Sequence, residues 1–149
     1  MSLAREAGRL VVSLAYDDPR VRQVLEALHQ GLTAEIQFQM RLYRRQRGLF
    51  SFLGDRLLAE RRALQSARYD VFTARYVIQR PGRRETAHDE PQEFLSSFCA
   101  LEGYPLAELP PGDPADYYVQ ARVRLTPVKM VSPLNIITLF LPETSFGSP

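Results

Sequence analysis

The chain has 149 residues, 45% of them hydrophobic, with 19 basic and 17 acidic side chains and a formal net charge of +2. A chain of this length buries about 68–70% of the surface its unfolded form exposes, so a single core suffices without disulfides or metal, and the near-neutral charge selects no class of partner. One cysteine (Cys99) and two histidines (His29, His88) exclude a disulfide framework, a multi-thiolate zinc site and a His-rich metal centre, and the longest apolar run, Ile136 to Leu141 with Thr138 inside it, falls far short of the roughly 20 residues of a membrane span.

In chain order, Leu10 to Ala15 predicts a short buried strand, because Val11, Val12 and Leu14 favour the pleated conformation. Asp18-Pro19 marks a helix start: the carboxylate can accept from first-turn amides, and proline at the first helical position lacks a donor that would be orphaned there. Val21, Val24, Leu25 and Leu28 line one face of that helix, and Gly31 supplies its left-handed stop. Leu32, Ala34, Ile36, Phe38, Met40 and Leu42 then alternate with Thr33, Glu35, Gln37, Gln39, Arg41 and Tyr43. Period two over that length predicts a long strand, dry on one face and wet on the other, that bends or carries a bulge; a one-faced strand belongs in an antiparallel sheet.

Gly48 to Gly54 (GLFSFLG) is predicted as a loop, although it holds Leu49, Phe50, Phe52 and Leu53. Leu57 to Arg68 fits neither period cleanly; strand is preferred over helix because Tyr69 to Thr73 has turn chemistry and Ala74 to Gln79 reads as a hairpin partner. Arg80 to Glu90 is polar around a Pro81-Gly82 turn. A second helix is expected from Asp89 or Glu90, with Pro91 in its first turn, Phe94, Leu95, Phe98 and Leu101 as its apolar stripe and Gly103 as its stop. Pro105, Pro110, Pro111, Gly112 and Pro114 suggest an irregular connector. Tyr117, Val119, Ala121, Val123 and Leu125 alternate with Tyr118, Gln120, Arg122 and Arg124 in a last long strand, and Leu134 to Leu141 follows as a short apolar one. The expected order is β-α-β-β-β-α-β-β: an α+β domain over residues 1–149, with a single antiparallel β-sheet, two amphipathic helices packed on one face, and frayed ends at 1–8 and 143–149.

Neither GxGxxG, GxxxxGK[ST] nor GxSxG occurs, and no catalytic constellation emerges, so the expectation is a non-enzymatic protein with no cofactor and no metal. Cys99 shares a helix with Phe94, Leu95 and Phe98, which favours an inert buried thiol. His29 lies near a helix C-terminus, and His88 sits beside Asp89 and Glu90 in what reads as a solvated loop.

Two groups of residues remain as candidate binding surfaces. Arg41, Tyr43, Arg122 and Arg124 fall on the wet faces of the two long strands, so neighbouring strands would join arginine and tyrosine on one open face, as single-strand nucleic-acid binders do. A merely solvated face is the preferred reading, which leaves nucleic acid as the alternative function. Leu49, Phe50, Phe52 and Leu53 are the other group. Their preferred reading is a cap on an open end of the core; exposed, they would form a patch for a protein partner, an apolar ligand or, with Arg44, Arg45, Arg47 and Arg56 beside them, an anionic surface.

The basic residues are almost all arginine, Lys129 being the only lysine, a bias for which a GC-rich genome is the preferred reading and arginine chosen for bidentate anion contacts the alternative. Met1 to Arg9 lack the apolar core of a signal peptide, so the chain as it stands reads as cytoplasmic. Three short stretches add a family resemblance: His29-Gln30-Gly31-Leu32 leading into the alternating strand, Tyr69-Asp70-x-x-Thr73-x-x-Tyr76 at the hairpin, and Tyr117 to Leu125 (YYVQARVRL) with Pro133-Leu134 after it. In these the chain resembles a bacterial family known as domain of unknown function 4390. The resemblance implies an exported protein, so that this chain would be a mature or truncated portion working in the periplasm or cell envelope. It implies no reaction.

Overall fold

The computed structural model describes residues 1–108, 110–128 and 144–147. The expected strand at Leu134 to Leu141 lies outside the described residues. The long alternating segment forms β3 (Thr33–Arg44), preceded by β1 (Ser2–Glu6), β2 (Arg9–Ala15) and α1 (Arg22–His29). After it come β4 (Arg56–Asp70), β5 (Arg75–Gln79), β6 (Thr86–His88), α2 (Pro91–Phe98), β7 (Ala100–Glu108), β8 (Tyr117–Val128) and β9 (Thr144–Gly147).

The strands form two antiparallel sheets, so the expected single sheet is corrected. One has three strands in the order β1-β2-β7, the other six in the order β6-β5-β4-β3-β8-β9. The difference lies in residues 100–108, expected to be a helix end and a connector. Helix α2 stops at Phe98, and Cys99 caps it through its backbone N–H to the carbonyls of Leu95 and Ser97. Leu101 therefore belongs to β7, and Gly103 sits inside that strand at φ +56 rather than ending a helix. Pro105 is compatible with β7 because the strand lies at a sheet edge, where one side of the backbone needs no ladder donor. Two register shifts against β2 absorb the irregularity, and the Gly103 N–H donates to Ser13 Oγ at 3.0 Å. Within the segments expected to fray, Ser2–Glu6 pairs with β2 and Thr144–Gly147 with β8.

The strongest sequence signals correspond to well-formed elements. Asp18 Oδ1 accepts from the Arg20 N–H at 2.8 Å, opening a 3-10 turn at Pro19–Val21 that runs into α1, and Gly31 follows the helix at φ +81. Every second residue of β3 from Ala34 to Leu42 is buried, and its register with β4 shifts between Leu42 and Tyr43. Residues 57–68 are strand throughout. The six-stranded sheet turns one face inward, and its Ile36, Phe38, Met40 and Leu125 share one apolar cluster with Val12, Leu14, Leu101 and Leu106 of the smaller sheet and with Val24, Leu28, Phe94 and Phe98 of the helices. The smaller sheet and both helices thus cover the inner face together, leaving the outer face and the two strand ends to present functional groups.

Candidate functional site

The β3–β4 connection lies at one end of the larger sheet. Residues Gly48–Leu53 wind into a short 3-10 turn, bracketed by Gly48 at φ +73 and Gly54 at φ +76, a region L side chains rarely adopt. Its base is pinned by polar contacts. The Gln46 N–H donates to Asp55 Oδ1 at 3.2 Å, the Tyr118 hydroxyl donates to Asp55 Oδ2 at 2.8 Å, the Arg45 N–H donates to the Asp116 carbonyl, and Arg47 pairs with Asp116 at 3.0 Å. Hydrogen bonding to Asp55 pushes the Tyr118 phenol above its ordinary value.

Above that pinned base the tip is bare. Leu49 is 87% exposed, Phe50 63%, Phe52 80% and Leu53 64%. The expectation that these residues cap the core is therefore corrected: the core cluster is complete without them, closed at this end by Leu42, Val119 and Tyr117. Leu57 and Leu58, the first apolar residues of β4, are exposed too. A pocket of about 230 Å³ shares Tyr118 with this end and is lined by Leu3, Leu10, Leu42, Tyr117 and Val119. A smaller apolar pair, Val71 and the 96% exposed Phe72, occupies the β4–β5 turn at the opposite end of β4.

Strands β3 and β8 are neighbours, which places the predicted arginines and tyrosines on one face. Tyr43 lies opposite Tyr118, Gln39 opposite Arg122 and Gln37 opposite Arg124. The Tyr43 and Tyr118 rings stack at 5.2 Å, while the Arg45 guanidinium lies 5.5 Å from the Tyr118 centroid and Arg44 lies 5.9 Å from that of Tyr117. The face is nonetheless not an open cationic row. Glu60 accepts from Gln39 Nε2 at 2.6 Å, from Arg41 Nε at 3.1 Å and from Arg62 Nη2 at 3.1 Å, and these bonds, that from Gln39 foremost, hold its carboxyl below the usual range. Arg41 is consequently committed within the protein, and Tyr43 and Tyr118 each have one ring face taken by the other.

The other chemistry-bearing residues are structural in their settings. Cys99 is buried, and burial pushes its thiol up to about 12, well away from a nucleophile's range. Asp70 Oδ1 accepts from the Phe72 and Thr73 N–H groups to close the turn, and Tyr69 and Tyr76 face each other across the hairpin at 5.1 Å. His29 joins this pair, its Nε2 2.7 Å from the Tyr76 hydroxyl and its ring edge-on to Tyr69 at 4.8 Å. His88 departs from expectation: it lies on β6 rather than in a solvated loop, with Nε2 shielded and without a hydrogen-bond partner, while Asp89 is taken by Arg75 at 2.7 Å. Among the described residues no cluster of three or more His, Cys, Asp or Glu could hold a metal, and no helix is long and apolar enough to cross a membrane.

Sequence reasoning missed a second concavity, a cleft of about 780 Å³ between β4, the turn that follows β5, α2 and β7. At its floor Gln65, 2% exposed, donates through Nε2 to the Ala100 carbonyl at 2.8 Å and accepts from Arg80 Nε at 2.9 Å. Arg80 also donates to Thr86 Oγ1, the Ser97 carbonyl and Ser97 Oγ, so that one side chain ties the end of β5 to the last turn of α2. Burial foremost, then the neighbouring Arg83 charge, pushes its guanidinium below the ordinary value, although Glu102 opposes this. The one signal in the sequence was Gln65 itself: an amide on the inward phase of Ala63, Gln65 and Ala67 must find partners inside the protein.

Comparison with known proteins adds one finding. The family model described as Domain of unknown function (DUF4390) matches residues 1–149. No curated protein and no solved structure matches the chain.

Proposed function

Since the chain belongs to the DUF4390 family over its whole length, we propose that it is a non-enzymatic binding module of the bacterial envelope that docks a partner protein or an apolar ligand through Leu49, Phe50, Phe52 and Leu53. The observation that carries this reading is the exposure of all four side chains on a turn whose base is held by Asp55 and Asp116. Contiguous large apolar side chains are rarely left in water on a soluble protein unless something covers them in use. The pinned base strengthens the reading, because a presented tip needs little ordering on binding. The envelope address rests on the resemblance to an exported family.

The double variant Phe50→Ser/Phe52→Ser tests the proposal. Both rings already lie largely in water, so the melting temperature should stay within about 3 °C of the parent. Capture of bound material from envelope extracts after crosslinking should be lost. A large drop in melting temperature would show that the rings are core after all, and unchanged capture would remove the loop from function.

A further inference from the structure

We infer that the occupant of this end is an anionic lipid surface; the inference rests on the turn being a docking surface and takes a bilayer, in place of a partner protein or a free apolar ligand, as what it docks on. Three observations carry it. The tip from Gly48 to Gly54 contains no charged side chain, only Ser51 among the apolar residues, so entry into the headgroup–acyl boundary strips water from no ion. Behind it stands a cationic collar of Arg44, Arg45, Arg47 and Arg56, all exposed. Two carboxylates stand among these four arginines: Asp116 pairs with Arg47, and Asp55 keeps its charge while accepting from the neutral Gln46 N–H and Tyr118 hydroxyl, so the collar retains a net positive charge.

Tyr43, Tyr117 and Tyr118 sit at the level of that collar, two of them beneath arginine guanidinium groups. Tyrosine at the boundary between an apolar layer and a charged layer is the arrangement membrane interfaces favour. Size argues in the same direction. A stable protein–protein interface covers about 800 Å² on each partner, more than one short turn offers, whereas a bilayer needs only a tip that inserts and a collar that meets its headgroups.

The test is cosedimentation of the 149-residue chain with phosphatidylcholine vesicles and with vesicles containing phosphatidylglycerol. The expected result is binding to the anionic vesicles only, weakened about tenfold between low and high salt as the collar is screened. Phe50→Ser/Phe52→Ser should lower partitioning at least about tenfold by removing the inserted rings. Arg44→Gln/Arg45→Gln should reduce the preference for anionic lipid while the tip remains intact. No binding to anionic vesicles, equal binding to both compositions, or binding indifferent to the phenylalanine pair would each overturn the inference. If vesicles fail while the double-serine variant still loses capture from envelope extracts, the lipid occupant is wrong and a protein partner holds the loop. If capture also survives that variant, the docking reading itself fails.

Discussion

Phe38→Ala is expected to cost about 3–5 kcal/mol of folding free energy. Phe38 is fully buried at the middle of β3, flanked on its neighbouring strands by Ala63 and Val123. Alanine and valine cannot expand into the space a phenyl ring vacates, so a cavity should persist rather than collapse. Because the same apolar cluster includes Leu101 and Leu106 of β7, the cavity weakens the contact between the two sheets as well as the larger one. Urea titration should show the midpoint falling with the slope unchanged, and the melting temperature should drop by roughly 10–15 °C. A loss below about 1 kcal/mol would mean that the two sheets do not share this core.

Arg80→Met should cost about 2–3 kcal/mol although it preserves much of the side-chain volume, because it strands the buried Gln65 side-chain carbonyl oxygen without its Arg80 donor and leaves the Ser97 carbonyl with only the Cys99 N–H. The contribution of Arg80 lies in satisfying those groups more than in its charge. Gln65→Leu alone should also destabilise, by freeing the Ala100 carbonyl and one Arg80 donor. The double variant Arg80→Met/Gln65→Leu should then be less destabilised than the sum of the two singles, since each removes the other's orphaned partner. Denaturant midpoints of the four proteins measure this coupling. Strict additivity would show that the two side chains do not act as a unit.

How much of this was legible in the sequence follows from what each element depends on. Strand β3 and helix α1 are specified locally: an unbroken period of two in one, and Asp18-Pro19 with Gly31 at the ends of the other. The juxtaposition of Tyr43 with Tyr118 followed from matched alternation in two strands that share a core face. Strand β7 was hidden because Gly103 and Pro105 interrupt its period and its partner, β2, lies far away in the chain. Strand β1 was hidden for another reason: all five of its residues are exposed, so no apolar alternation marks it. Once β7 is missed, the second sheet disappears with it, and a single sheet becomes the economical but incorrect solution.

The candidate site divides in the same way. That Leu49, Phe50, Phe52 and Leu53 sit in a turn was readable from Gly48 and Gly54, but whether anything covers them is decided by the rest of the fold. The core is already closed by Leu42, Tyr117 and Val119, and so the turn stands outside it. The commitment of Arg41 to Glu60 was similarly beyond local pattern, since it needs the register of β3 against β4 that places the two opposite each other.

The most direct measurement is site-specific photocrosslinking in living bacteria, with the crosslinker placed at position 52 in one protein and at position 72 in another. Both positions carry exposed phenylalanines, at opposite ends of β4, so local hydrophobicity and accessibility are matched. Adducts to lipid or protein at position 52, absent at position 72, are the predicted result. No adduct at position 52, or the same adducts at both positions, would contradict the assignment of the GLFSFLG turn as the docking surface.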